Sequence, residues 1–326
     1  MRCVGNTAGA HLPVNKKCHC LSRVTPDSIS VITDVLVSEE NLGAGAEDLE
    51  WFEAAEVLLT EQVKAVSGKL MQKVNTGVYG PLQLAYISTG DGIAGLAELP
   101  DQQPIAEAEE LHSDLLPARY EGGLKIWECT HDLASFLACH PTFSMRGKKV
   151  LDVGCGAGLL GLLALSQGAS DVHFQDYNVS VLTSVTMQNV LLNTTENTAT
   201  RCRYFAGDWQ SYVQLTDDEF KSEEAKFDYI LSSETIYNPS NHTKLYSVFR
   251  KRLKRTGIVF LAAKTYYFGV GGSIRQFEKL VEEDGVFESS VCWKCSEGKK
   301  EITLIVKSVF KSRDGYSSRF ILGAGV

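Results

Sequence analysis

The sequence predicts an α/β fold on an open, mostly parallel sheet, and three observations predict it. A buried strand runs straight into a glycine-rich turn and an apolar helix across Val150–Leu160. The next strand-like stretch, Asp171–Gln175, leads into an acid, Asp176, 24 residues after Asp152. That is the spacing of a strand–helix–strand unit whose second strand ends in a carboxylate. Short apolar stretches follow in alternation with helical patterns: Cys202–Ala206, Phe227–Ser232 and Gly257–Ala263 read as strands, and Ser180–Asn193 as an amphipathic helix.

The first turn narrows the ligand. Gly154, Gly156 and Gly158 stand at alternate positions, so the backbone can press against a bound molecule with no Cβ in the way. The helix behind them aims free N–H groups at the same place. A dinucleotide turn has the pattern G-x-G-x-x-G, and Leu159 occupies the position of its last glycine. Asp152 beside the turn repels phosphate and suits a cationic ligand, such as an adenosyl sulfonium with its amino group. A nucleotide-dependent oxidoreductase therefore fits poorly.

The later loops add to this. Asp176 can accept from two neutral sugar hydroxyls, with Gln175 and Tyr177 on either side. Gly207-Asp208-Trp209 puts an acid and an aromatic after the third strand. The pair suits an adenine, and Trp209 alone reads equally well as a core residue. The fourth strand runs into Ser233-Glu234-Thr235-Ile236-Tyr237-Asn238-Pro239. This loop carries an acid, a phenol and an amide on the carboxyl side of the sheet, where ligands bind; a solvated Asn-Pro turn is the plainer alternative. Lys264-Thr265-Tyr266-Tyr267-Phe268-Gly269-Val270-Gly271-Gly272 reads as a pocket wall or mobile rim.

With these motifs in place the chain resembles the class I, seven-strand, S-adenosylmethionine-dependent methyltransferases, and more narrowly the protein-histidine N-methyltransferase family. The motifs are Tyr120-Glu121-Gly122-Gly123-Leu124-Lys125-Ile126-Trp127-Glu128-Cys129-Thr130, the Leu151–Leu160 run, Phe174–Asn178, Ser233–Pro239 and Tyr267–Gly272. The resemblance covers residues 119–326 as a methyltransferase domain and leaves 1–118 as an N-terminal arm, partly disordered or loosely helical. It implies a Rossmann-like sheet of order 3-2-1-4-5-7-6, helices on both faces and an antiparallel last strand. Val286–Cys292 and Glu301–Phe310, joined by a Ser-Glu-Gly-Lys-Lys turn, suit the hairpin this requires.

The same resemblance implies S-adenosylmethionine as donor and a cofactor site at Ile126, Trp127, Glu128, Cys129, Thr130, Asp152, Gly154, Gly156, Gly158, Gln175, Asp176, Tyr177, Gly207, Asp208, Trp209 and Ser233. Thr130 reads as the N-cap of the following helix. Glu128 would meet the donor's amino group, and Trp127 would screen the sulfonium, with cation–π attraction on the order of 1–2 kcal/mol. Glu234, Tyr237 and Asn238 are the candidate catalytic residues, with Tyr266 or Tyr267 as further hydroxyls. The implied substrate is a histidine in a large-subunit ribosomal protein, methylated on the ring nitrogen distal to the backbone. Lysine is the rival acceptor, since Glu234-Thr-Ile-Tyr237 also resembles related protein-lysine methyltransferases, and a non-catalytic adaptor is a third reading. A neutral imidazole (pKa about 6.5) needs only orientation and an acceptor for its N–H. A lysine (pKa about 10.4) needs help with deprotonation and an aromatic cage.

Composition agrees with a single enzyme-sized domain and an arm. The chain has 326 residues, a formal net charge of −8 and nine cysteines without framework spacing, which suits a reducing compartment. No apolar run approaches the roughly 18–20 residues of a membrane helix, and no secretory leader is expected. A cytoplasmic, nuclear or nucleolar monomer without bound metal is the expectation. Cys18-His19-Cys20 and Cys292–Cys295 read as structural or incidental. In the arm, Phe52, Ala55, Leu59, Val63 and Val66 recur at helical spacing. Val74–Ala118 contains no Lys or Arg and reads as a loop-rich linker whose acids could attract a basic protein. The cluster Arg250–Arg255 reads as helix C-terminal charge, with nucleic-acid contact left open.

Overall fold

A computed structural model describes residues 51–70, 74–87, 103–295 and 297–307. The parallel centre is built from strands buried on both faces: β4 (Lys149–Val153), β5 (Asp171–Asp176), β6 (Cys202–Ala206), β7 (Phe227–Ser233) and β8 (Leu253–Lys264). Alternate residues feed opposite layers. Val150, Phe174 and Leu231 join one apolar cluster, while Leu151, Phe205 and Ile230 join the other. Burial of both faces is why these strands read as continuous apolar runs.

The sheet has eight strands in the order β1-β6-β5-β4-β7-β8-β10-β9. Beside the parallel centre lie β9 (Phe287–Lys294) and β10 (Lys300–Lys307); β10 is antiparallel to both β8 and β9. The expected order of seven strands is present, and the Rossmann-like α/β fold is borne out. The eighth strand, β1 (Ala55–Glu56), comes from the arm and pairs antiparallel with β6. The β9–β10 turn also accounts for two cysteines: Lys300 N donates to Cys295 Sγ (3.3 Å), and Cys292 Sγ donates to Ile302 O (3.3 Å).

Ten helices can be named among the described residues. They are α1 (Glu61–Leu70), α2 (Gln103–Glu110), α3 (Glu128–Cys139), α4 (Leu159–Ser166), α5 (Val179–Val181), α6 (Met187–Asn193), α7 (Glu196–Ala199), α8 (Trp209–Leu215), α9 (His242–Arg252) and α10 (Ile274–Asp284). A π-helical turn, Leu182–Thr186, joins α5 to α6. None is long and apolar enough to cross a membrane. Gly161 fixes how closely α4 approaches β5: a Cβ there would stand 2.2 Å from Phe174 Cε1.

Several expectations are revised. The helix read from residue 47 starts only at Glu61, because Ala55 and Glu56 satisfy the edge of β6 instead. The side chain of Val66 lies outside the described set. The expected linker from Val74 contains a hairpin, β2 (Val74–Tyr79) and β3 (Leu82–Ile87), turning at Gly80 with φ +53°. Asn193 Oδ1 accepts from Ala85 N (2.9 Å) and Asn189 Oδ1 from Ile87 N (2.8 Å), so two distant amides fix the hairpin. Helix α3 begins at Glu128 with Trp127 at its N-cap, so Thr130 is no cap. The basic cluster is largely spent internally: Arg250 pairs with Asp284 (2.8 Å), Lys254 with Asp228 (3.0 Å), and buried Arg252 donates to Thr216 Oγ1 (3.0 Å). Residues 1–50, which include Cys18-His19-Cys20, and positions 308–310 of the last expected strand lie outside the described residues.

Gly161→Val drives a side chain into Phe174. It is expected to cost about 3 kcal/mol of stability, read as a lower urea midpoint at unchanged slope; an unchanged midpoint would contradict the packing described.

Candidate active site

The carboxyl ends of β4, β5, β6 and β7 open onto one cleft of about 760 Å³, its solvent mouth included. Its floor is the glycine turn. Gly154 and Gly156 have φ of +63° and +49°, where a side chain is strained. Space forbids one as well: a Cβ on Gly154 would meet Thr235 Cγ2 at 2.5 Å, and one on Gly156 the Gly123 carbonyl oxygen at 2.9 Å. Asp176 Oδ2 accepts from Gly156 N (2.8 Å), and its Oδ1 from Asn178 N (3.4 Å). Burial pushes the Asp176 pKa up to about 6, against the pull of N–H groups from Gly156, Asn178 and Tyr177.

Asp152 does not face this cleft. Its Oδ2 accepts from Gly161 N (2.8 Å) inside the first turn of α4, and its side chain is buried. Burial raises its pKa to about 8. The expected repulsion of phosphate by Asp152 therefore gives way to a structural role. Gly158 also stays off the cleft wall and serves as the left-handed N-cap of α4.

Gln175 is likewise a positioning residue beneath the cleft. Its Nε2 donates to Gly207 O (2.8 Å) and Asp176 O (3.1 Å), while its Oε1 accepts from Trp209 Nε1 (2.8 Å) and Gly154 N (3.4 Å). One side chain thereby ties together the loops after β4, β5 and β6. Gly207, Asp208 and Trp209 all line the cleft. The Asp208 carboxylate is committed, however: Oδ2 caps α8 by accepting from Gln210 N (2.9 Å), and Oδ1 holds Lys244 Nζ (2.6 Å). It is not a free acceptor for a base amine.

A second wall comes from the segment before α3. Glu121, Ile126, Trp127 and Thr130 line the cleft. Glu121 Oε1 accepts from Ala118 N (2.9 Å), and the Tyr237 phenol donates to Oε2. Burial lifts the Glu121 pKa to about 6, opposed by the Ala118 bond. Trp127 Nε1 donates to Gly122 O (3.2 Å), and its ring already carries Lys125 Nζ at 4.6 Å and Lys264 Nζ at 5.6 Å. Glu128 is exposed and lies 3.8 Å from Lys300, away from the cleft. Cys129 is buried behind the wall and contributes its N–H to Glu234 Oε1 (3.4 Å).

The far wall is the loop after β7. Ser233 lines it and accepts from Thr130 Oγ1 (3.1 Å). Glu234 is buried at 6% exposure with φ +59°, a conformation that costs a non-glycine residue on the order of 1–3 kcal/mol and concentrates at functional sites. Its Oε2 has no hydrogen bond of good geometry. The neighbouring Tyr267 phenol accepts from Lys264 N (3.3 Å), and burial first, then Glu234, raises its pKa. Tyr237 lines the cleft, whereas Asn238 caps a 3₁₀ turn by accepting from Ser240 N (3.1 Å) and Ser240 Oγ (2.7 Å). The amide that does line the cleft is Asn241, buried at 6% exposure with Oδ1 unpartnered.

Comparisons with known proteins agree with this geometry. A family profile described as lysine methyltransferase matches residues 118–269. A Bos taurus protein named histidine protein methyltransferase 1 homolog is 42% identical over 233 residues, covering 65% of this chain and 61% of its own. The chain is thus similar to proteins named histidine protein methyltransferase. A homolog of the same name from Dictyostelium discoideum is 45% identical over 170 residues, 52% of each chain. Histidine protein methyltransferase 1 of Schizosaccharomyces pombe is 32% identical over 211 residues, 52% of this chain and 61% of its own. The chain thus spans about half to three fifths of these relatives' lengths.

Of the residues the sequence singles out, the structure brings Ile126, Trp127, Thr130, Gly154, Gly156, Asp176, Tyr177, Gly207, Asp208, Trp209, Ser233, Glu234 and Tyr237 onto one cleft. The sequence misses Trp51, Glu121 and Asn241. Glu121 has a signal in the Glu-Gly-Gly motif, and Asn241 none beyond lying near Asn238.

The raised pKa of Asp152 makes a prediction. The folded protein keeps this proton up to about pH 8, and an unfolded chain releases it near about 4. Between these values the folded state binds more protons, so this group's contribution to stability falls as pH rises. Asp152→Asn removes that slope. Urea unfolding at pH 5 and pH 8 should show the variant gaining on the wild type at the higher pH; a constant difference would contradict the placement.

Proposed function

We propose that this protein is an S-adenosylmethionine-dependent protein-histidine N-methyltransferase acting on the ring nitrogen distal to the backbone. The observation that carries the reading is a single cleft with two unlike ends. One end has the glycine turn with Asp176 beside it, and the other has a buried, strained carboxylate, Glu234, whose Oε2 makes no hydrogen bond of good geometry.

The residues present fit the donor. Gly154 and Gly156 leave room where a Cβ would close it. Asp176 and Tyr177 suit the sugar hydroxyls, Trp209 and Ile126 offer apolar surface, and Ser233 and Thr130 add hydroxyls to the lining. When bound, S-adenosylmethionine supplies an electrophilic methyl group on a positively charged sulfur. The protein's part is to hold an acceptor in line and exclude water, and orientation of this kind can supply about 7–11 kcal/mol. A neutral imidazole needs its proton fixed on the nitrogen that does not attack. Glu234 and Asn241 have the unsatisfied polar atoms for that task, whereas Tyr237 is already engaged with Glu121.

Histidine is favoured over lysine by the state of the aromatics. A lysine acceptor calls for an open cage, but the face of Trp127 is taken by Lys125 and Lys264. The names of the relatives support the same choice. We further propose a histidine of a large-subunit ribosomal protein as substrate, with the enzyme acting as a monomer in the cytoplasm or nucleus. These finer points rest on the family resemblance.

Incubation with tritiated S-adenosylmethionine and cell extract should give labelled methylhistidine on hydrolysis; labelled methyllysine alone would favour the rival. Glu234→Ala is expected to lower turnover about a hundredfold or more while S-adenosylhomocysteine affinity stays within about threefold. Equal losses would move Glu234 into the donor site.

A further inference from the structure

Among the described residues, the arm reaches the cleft at Trp51. Residues 51–57 run along the edge of β6 as a strap with fixed register. Phe52 N donates to Tyr177 Oη (3.0 Å), and Phe52 O accepts from Asp208 N (2.9 Å). Ala54 N donates to Ser211 Oγ (2.8 Å), Ala55 pairs with Ala206, and Val57 N donates to Tyr204 O (2.8 Å). The fit is close enough that a Cβ on Gly207 would stand 2.6 Å from Ala54 Cα. Glycine at 207 is therefore matched to the strap as well as to its own φ of +101°.

This register delivers Trp51 to the cleft wall, beside Tyr177, Gly207 and Asp208. Its indole meets the Tyr177 ring edge-on, with centroids 5.6 Å apart, while Phe52 stacks on the same phenol at 5.1 Å and 9°. Lys244 Nζ sits 3.7 Å from the indole centroid and is itself held by Asp208 at 2.6 Å. The indole is thus gripped by Tyr177 and by a cation that a buried carboxylate holds in place. Such a fixed flat wall, above the ends of β5 and β6, fits a flat heterocycle. Those strand ends are where the sugar and base of a nucleoside lie in sheets of this kind.

We propose that Trp51 is a binding residue of the donor site, forming the wall against the base of the adenosyl group. The arm strap is then part of that site, although it precedes the segment that the family profile matches. The proposal rests on the reading that the cleft takes S-adenosylmethionine. Lys244 and Asp208 act through Trp51 as positioning residues. This also gives the committed carboxylate of Asp208 a use: it holds the cation that holds the indole.

The test is calorimetric titration of the full chain with S-adenosylhomocysteine. Trp51→Leu, which keeps apolar bulk and loses the flat ring, should weaken binding roughly tenfold, the size of one aromatic–base stack. Trp51→Phe should stay within about threefold. Thermal unfolding should remain cooperative in both. Wild-type affinity in Trp51→Leu would overturn the proposal, as would a loss confined to the KM for the protein substrate. Failure of the wild type itself to bind would instead sink the donor assignment of the whole cleft.

Discussion

The site depends on one buried contact, between the Asp176 carboxylate and the backbone of the glycine turn. Gly156 N–H and Asn178 N–H point into that carboxylate, so the ends of β4 and β5 are locked at a fixed separation. The turn can approach only because Gly154 and Gly156 lack side chains, and the Glu121–Gly123 segment can close over it for the same reason. A buried carboxylate is costly unless hydrogen-bonded. The cost appears in its raised pKa, and the bonds that offset it are the ones that shape the cleft. Gln175 extends the lock to the third loop by bonding the backbone of Gly154, the carbonyl of Gly207 and the indole of Trp209.

On that frame the two ends of the cleft are physically different. The Asp176 side is dense in hydrogen bonds. The Glu234 side contains a left-handed non-glycine residue and two unsatisfied buried polar atoms. Such groups are rare in native folds, and use by a ligand or a reaction is one reason for them. The asymmetry fits a binding end that must not move and a reacting end completed only when the acceptor arrives.

Much of the fold was legible because its strands are buried on both faces. Cys202–Ala206 is read with its observed bounds, and Phe227–Ser232 lacks only Ser233. Asp176 was legible as an acid at a strand end. Asp152 was visible too, but the sequence alone does not say that its carboxylate turns into the start of α4 rather than toward a ligand. The β2–β3 hairpin was hidden because Val74–Tyr79 is half polar and contains a glycine; its support comes from amides about a hundred residues away. Trp51 was hidden for a related reason. Its neighbour Phe52 bonds to a tyrosine 125 residues distant, and no local pattern records such a contact. Thr130, Asn238 and Glu128 show the converse: residue types that suit a role, placed where the backbone gives them another.

The central claim is that the Asp176-locked cradle is a donor site. Its most direct measurement is the equilibrium affinity of Asp176→Ala for S-adenosylhomocysteine beside that of the wild type, with cooperative unfolding checked in both. The account predicts one-to-one binding by the wild type and a loss of about a hundredfold or more in the variant, since a charged acceptor with two partners is removed. Equal affinities would contradict it.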